Sequence, residues 1–320
     1  MRKMTINTKI AVAFFAVIVA VMIPMTSSAK KTFISIGTGG TGGVYYPYGA
    51  AMAKVLGDTL PNVEVTAEST GASVENFRLL SNDDIQIAMV FANVAFDASR
   101  GQGKFEKPID FKVLMTMYPT PIHVIVPKKS SVESISDLKG MRIGVGSPGS
   151  GNEVISKLLL GTYGITYDDC TPEYLSIGEI MNGLKDGTLD AGISCTAYPT
   201  ATIMDLAISK PVRLIPINAE EVKKIQEKSP FFFSTKIPDN VYKDVEGVET
   251  AGFGNLMVVR SDMPEQRAYD IVKALFEHKS DLEAAHRIAK QLTLETAVES
   301  AGLPRHDGAT KYFKENGAIK

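Results

Sequence analysis

The chain has 320 residues, 44% of them hydrophobic and 22% charged, with 34 basic against 36 acidic residues for a net charge of −2. That balance excludes a disordered chain and a multi-span membrane protein, and it gives nucleic acid no basic surface to bind. Two cysteines and four scattered histidines support neither a disulfide scaffold nor a metal centre with ordinary ligand spacing, so neither metal nor cofactor is expected.

The first segment reads as an address. Arg2, Lys3 and Lys9 precede the apolar run IAVAFFAVIVAVMI (Ile10 to Ile23), then Pro24 and the small residues Ser27-Ser28-Ala29. This is the tripartite pattern of a secretory signal peptide over residues 1–29. The run is short of the ~20 residues that span a bilayer, and no cysteine follows it for lipid attachment. Cleavage after Ala29 leaves 31 basic against 36 acidic residues, net −5. A soluble protein of the periplasm is expected. Cys170 and Cys195 would meet an oxidising compartment there. Their places before one strand and at the end of another set them at opposite sheet edges, so both read as free thiols.

From there β-branched runs alternate with amphipathic stretches. Strands are predicted over Thr32–Ile36, Val63–Ala67 and Ile85–Val90, with helices over Tyr45–Leu60 and Ser73–Ser81 between them. Val113–Met117 and His123–Val126 read as strands on either side of Tyr118-Pro119-Thr120-Pro121, a stretch stiffened by its prolines. The pattern then begins again. Arg142–Val145, Glu173–Ser176, Ala191–Cys195 and Arg213–Pro216 are strands, and Asn152–Tyr163 and Ile177–Asp186 are helices. The chain closes with a strand over Asn255–Arg260 and helices over Glu265–His278 and Asp281–Ala289. Such alternation implies two α/β lobes with largely parallel sheets, each opening with strand, glycine loop and helix.

Those two loops both match GxGxxG, at Gly37-Thr-Gly39-Gly-Thr-Gly42 and Gly144-Val-Gly146-Ser-Pro-Gly149. A dinucleotide is the obvious occupant. Export away from the cytoplasm argues against it, and the bulky Tyr45-Tyr46-Pro47-Tyr48 would crowd a pyrophosphate. No GK[ST] follows either loop, which excludes a P-loop. What remains is the physics: main-chain N–H groups and positive helix ends aimed at an anion. Gly40 belongs to the first loop, and Thr41, Ser147 and Ser150 offer hydroxyls. Ser69 or Thr70 could cap the next helix, while Ser73 or Asn76 could face a cleft. Tyr198 follows a strand end and could reach the same ligand. Neither a GxSxG elbow nor HExxH occurs, so no catalytic residues are assigned.

The run IGTGGTGGVYYPYG (Ile36–Gly49) resembles the opening signature of the TAXI solute receptors, which serve TRAP (tripartite ATP-independent periplasmic) transporters. The likeness continues through VEVTAESTGASVENFRLL (Val63–Leu80), MYPTPIHVIVPK (Met117–Lys128), DLKGMRIGVGSPGSGNEV (Asp137–Val154), LKDGTLDAGISCTAYPT (Leu184–Thr200) and LMVVRSDMP (Leu256–Pro264). The resemblance implies a two-lobe α/β periplasmic binding fold of type II, with a ligand cleft between the lobes. The chain would cross near Tyr118–Pro121 and Ala251–Gly254, giving lobe I residues 30–120 and 253–320 and lobe II residues 121–252. It also implies a small anionic solute, a glutamate-like amino acid or a dicarboxylate such as 2-oxoglutarate, delivered by a monomeric receptor to membrane-embedded permease subunits. With Gly40 and Ser147 of the glycine loops, the expected ligand residues are those carried over by motif: Thr41, Tyr45, Tyr46, Ser73, Asn93, Thr120, Ser150, Gly151, Asn152, Glu153 and Tyr198. Glu153 either pairs with a ligand amino group or caps its own helix. The chain departs from the pattern at Ser194-Cys195-Thr196-Ala197-Tyr198, where many relatives carry glycine before Tyr-Pro, and no arginine falls in the matched loops. A periplasmic sensor for a membrane signalling partner, or an enzyme on the same fold, are the alternative functions.

Overall fold

The computed structural model describes residues 31–320; the export signal expected over residues 1–29 lies outside them. Strand β1 (Thr32–Gly37) leads through the first glycine loop into helix α1 (Tyr45–Thr59) and strand β2 (Val63–Glu68). Tyr45, Tyr48, Met52, Val55 and Leu56 are buried on one face of α1, the spacing of an amphipathic helix laid on a sheet. Helix α2 (Ser73–Ser81), strand β3 (Ile87–Phe91) and helix α3 (Ala92–Arg100) follow. The sequence reading missed α3, which begins directly where β3 ends.

Strand β4 then runs unbroken from Phe111 to Pro127. The sequence reading expected two strands separated by a stiff Tyr-Pro-Thr-Pro segment, and the structure corrects it. The segment is extended and stays in the sheet, with Pro119 and Pro121 opposite Gly254 and Gly252 of strand β10 (Val248–Arg260). β4 pairs with β10 up to Pro121 and with strand β7 (Ala191–Cys195) from Ile122 onward. The prolines thus withhold their N–H groups where the ladder changes partner, a place that tolerates the loss.

The second half repeats the first. Strand β5 (Arg142–Gly144), helix α4 (Gly151–Thr162), strand β6 (Thr171–Glu173), helix α5 (Ile177–Asp186) and β7 rebuild the motif of strand, glycine loop and helix. Helix α6 (Ala201–Ser209), strand β8 (Val212–Leu214), helix α7 (Ala219–Lys228) and strand β9 (Phe233–Ile237) lead back to β10. Helices α8 (Glu265–Glu277), α9 (Lys279–Ala285), α10 (Leu294–Ala297) and α11 (Asp307–Glu315) close the chain on the first half. Sheet order is β2-β1-β3-β10-β4-β7-β5-β6, with β9 on β10 and β8 on β4. The β1–β2, β1–β3, β5–β6 and β5–β7 pairs are parallel, whereas β4 and β10 pair antiparallel to all their neighbours.

The consequence for function is geometric. Parallel strands end together, so β1, β3, β5 and β7 deliver their carboxyl ends, and the helices that follow, to one region. Among the described residues no helix is long and apolar enough to cross a membrane.

Candidate functional site

A cavity of about 80 Å³ lies between the two glycine loops. Gly39, Gly40, Gly42, Gly43, Val44 and Tyr45 wall it from the first loop and the start of α1. Gly146, Ser147, Ser150 and Asn152 wall it from the second loop and the start of α4. Thr70, Gly71 and Ala72 lead into α2, Phe91 sits at the N-cap of α3, and Ser176 and Ile177 open α5. Five helix N-termini therefore meet at one cavity. Tyr118, Thr120 and Asn255 supply the wall from β4 and β10, and Cys195 and Thr196 from the end of β7.

Local sequence chemistry explains the loop shapes. Gly146 has φ of +109°, and a Cβ there would lie 2.7 Å from the Asn152 side-chain nitrogen, so only glycine fits. Asn152 ties the loop down: its Nδ2 donates to the carbonyls of Val145 and Ile193 at 2.9 and 2.8 Å, and its Oδ1 accepts from the Cys195 N–H at 2.6 Å. Asn76 does the same in the first half, with its Nδ2 donating to the carbonyls of Gly37, Thr38 and Met89. Each amide side chain clamps the ends of adjacent strands beneath its glycine loop. Ser150 and Ser176 cap α4 and α5 by accepting from the N–H groups of Glu153 and Glu179. Helices α1 and α2 have no side-chain cap, so their first-turn N–H groups rely on other partners.

The two halves meet around the cavity. Thr202 Oγ1 donates to the Gly42 carbonyl at 3.2 Å, and the Glu75 N–H donates to the Gly149 carbonyl at 3.2 Å. Gly42 packs so closely on Gly178 that a Cβ would lie 3.1 Å from its backbone nitrogen.

No Lys, Arg, His, Asp or Glu lines the cavity. Its polar surface consists of hydroxyls, amides and main-chain groups. Tyr45 and Tyr118 are held far above the ordinary phenol pKa, first by burial, and burial likewise pushes the Cys195 thiol up. All three stay neutral at physiological pH. Phe91 forms the apolar side, edge-on to Tyr45 with ring centroids 5.8 Å apart and to Phe253 at 4.7 Å. Among the described residues no cluster of three His, Cys, Asp or Glu could hold a metal.

Of the expected ligand residues, Gly40, Tyr45, Thr120, Ser147, Ser150 and Asn152 come together on the cavity wall. The others do not. Thr41 is exposed on the outside of its loop and Tyr46 is half-buried one helical step from Tyr45. Ser73 is buried behind the wall, its hydroxyl accepting from the Phe91 N–H at 3.0 Å. Gly151 packs on Phe91 and Ser73, and Asn93 is buried in the first turn of α3. Glu153 points to Lys104, with Nζ 2.9 Å from its carboxylate. Tyr198 lines a separate cavity of about 40 Å³ with Pro119, Thr120, Pro121, Phe233, Thr235 and Gln291. Cys170 and Cys195 are both free thiols.

Sequence reasoning missed Asn255, Tyr118, Phe91 and Ser176 as lining residues, whereas the Cys195-Thr196 corner falls in a segment it had singled out. Two of these carried a signal. Asn255 interrupts an apolar strand run, where asparagine is disfavoured. Ser176 and Glu179 form a capping box, with the Ser176 N–H donating to Glu179 at 2.8 Å.

Comparison with known proteins places this geometry. Among solved structures, one from a study of glutathione import by GshT and the cystine ABC importer TcyBC in Streptococcus mutans is similar at 14% identity, covering 84% of this chain and 98% of that chain, with a TM-score of 0.52. A protein of Bordetella bronchiseptica RB50 is similar at 17% identity over 91% and 90%, TM-score 0.50. The periplasmic aliphatic sulphonate binding protein SsuA of Escherichia coli is similar at 13% identity over 88% and 78%, TM-score 0.45. The fold is the two-lobe, type II periplasmic-binding arrangement. The model of the NMT1-like family matches residues 36–317, nearly all of the described chain, and this protein belongs to the NMT1-like family.

Proposed function

We propose that this protein is a periplasmic receptor that binds a small carboxylate between two closing lobes and hands it to a transporter. The observation that carries the reading is the convergence of five helix N-termini on a cavity without a charged side chain. Each helix end is equivalent to roughly half a positive charge and presents N–H donors. An anion is the chemistry such a site favours, with no arginine needed to neutralise it. The lobes are residues 30–120 with 253–320, and 121–252. Contacts across the cleft, such as Thr202 to Gly42, belong to the closed state that a bridging ligand would stabilise by its differential affinity.

Within the carboxylates the lining favours an acid without an amino group. No acidic side chain faces the cavity, and the buried Glu153 is engaged by Lys104. A dicarboxylate or oxo-acid such as 2-oxoglutarate therefore ranks above glutamate. The partner is assigned from the sequence resemblance to the TAXI receptors: the permease subunits of a TRAP transporter in the same membrane.

The test is thermal unfolding of the mature protein, denatured and refolded to strip carried-over ligand, against glutamate, glutamine, 2-oxoglutarate, succinate, malate, an aliphatic sulfonate, phosphate and NAD. A ligand at ~100 times its Kd stabilises by about 2.7 kcal/mol, a shift of roughly 5 °C for a chain of this size. One or two carboxylates are expected to respond. A response to the sulfonate alone, to NAD, or to none of the panel overturns the reading.

A further inference from the structure

Asn255 is fully buried in β10 beside the cavity. Its Nδ2 lies 2.8 Å from the Tyr118 carbonyl and 2.7 Å from Thr120 Oγ1, and its Oδ1 lies 2.8 Å from Tyr45 Oη. One of these partners has no freedom. A carbonyl oxygen only accepts, so the amide face toward Tyr118 must be the NH2 group. That fixes the side chain's orientation by chemistry. The oxygen is then turned to Tyr45, and the Tyr45 hydroxyl must donate to it. The second amide proton is directed at Thr120, so one Thr120 Oγ1 lone pair is taken. The Thr120 proton is left over. No acceptor within the described residues takes it, and Thr120, 1% exposed, faces the cavity.

The Phe91 N–H, which can only donate, gives its proton to Ser73 Oγ at 3.0 Å. From Tyr45 through the Asn255 amide to Thr120 each link points the same way. Hydrogen bonds aligned head to tail polarise one another and strengthen the last donor.

We propose that Asn255 is a positioning residue that leaves the Thr120 proton free to donate to the ligand. Thr120 therefore gives the β4–β10 wall a donor suited to a ligand lone pair, such as a carboxylate or carbonyl oxygen. This rests on the carboxylate-receptor reading and specifies one of its contacts.

The experiment is titration calorimetry of refolded wild-type protein with 2-oxoglutarate, followed by Thr120→Val, Thr120→Ser, Asn255→Asp and the double variant Thr120→Val/Asn255→Asp. Thr120→Val keeps the shape and removes the donor; the expected loss is ten- to hundredfold, the worth of one hydrogen bond to a charged acceptor. Thr120→Ser keeps the hydroxyl and stays within about threefold. Asn255→Asp exchanges the NH2 group for an acceptor, which turns the Thr120 proton away from the cavity. It is expected to lose about as much as Thr120→Val, and adding Thr120→Val to it costs less than about threefold more. Thr120→Val binding as tightly as wild type overturns the proposal, including where Asn255→Asp does not fold. Fully additive losses in the double variant overturn the role of Asn255. If wild type binds 2-oxoglutarate and the variants show either result, only this proposal fails. If wild type binds no carboxylate at all, the receptor reading fails with it.

Discussion

The ion pair between Lys104 and Glu153 makes an asymmetric prediction. Nζ and carboxylate are 2.9 Å apart, with the glutamate side chain 3% exposed and the lysine 42% exposed. Replacing Lys104 by Met leaves a buried carboxylate without its counter-ion. Breaking a fully buried pair in this way costs about 3–5 kcal/mol. Water reaches the lysine end and already screens the attraction, which lowers the expected loss to about 2 kcal/mol. Replacing Glu153 by Gln removes the buried charge itself, keeps its volume, and leaves Lys104 in solvent. The Glu153 N–H still caps on Ser150. That change is expected to cost under about 1 kcal/mol. Lys104→Met should therefore be the more destabilising of the two, although it alters the more exposed residue. The assay is the urea midpoint of each mature variant at pH 7. The pair ties the segment after α3 to α4, whose first turn walls the cavity, so ligand affinity should fall with stability in Lys104→Met. Equal losses, or Glu153→Gln as the weaker protein, would refute the reasoning.

Two further expectations concern pH and loop contact. His123 is buried, its Nε2 2.9 Å from Tyr242 Oη, and burial lowers its pKa to about 4. The unfolded imidazole takes a proton near pH 6.5 and the folded one does not. The contribution to stability is thus complete above about pH 6.5 and is lost as pH falls toward 4, up to roughly 3 kcal/mol. His123→Gln, which can still accept from Tyr242, should flatten the urea-stability profile between pH 4.5 and 7; an unchanged slope would sink the assignment. Gly42→Ala would place a Cβ 3.1 Å from the Gly178 nitrogen and 3.2 Å from its Cα. Backbone cannot swing aside, so the two loops must part by a few tenths of an ångström. Affinity for the responding carboxylate should drop by about tenfold, while the urea midpoint measured without ligand stays put.

Much of the fold was legible in residue order because parallel α/β units announce themselves locally. The predicted helix bounds Ser73–Ser81 and Ile177–Asp186 and the strand Ala191–Cys195 match the structure residue for residue, since each is framed by turn or capping residues. Where local cues conflict with tertiary pairing, the reading failed. Pro119 and Pro121 argued for a break, yet β4 passes straight through them because the proline positions fall where its partner changes from β10 to β7. Helices α3, α6, α7, α10 and α11 were missed; α3 and α6 have no side-chain cap to mark their starts.

The candidate site divides along the same line. The glycine loops, with Gly40, Tyr45, Ser147, Ser150 and Asn152, were visible because a turn that exposes N–H groups needs glycine and hydroxyl residues at fixed spacing. Residue order alone also determined that no cationic side chain sits in those loops. Only the tertiary structure decided what completes the wall. Asn255 lies 210 residues from Tyr45, and no local rule brings them together; the antiparallel register of β10 against β4 does. The same folding carried Glu153 to Lys104 and Tyr198 to the smaller cavity. Motif spacing fixes which residues share a loop, whereas the direction in which a buried side chain points is set by the partner that satisfies its hydrogen bonds or its charge.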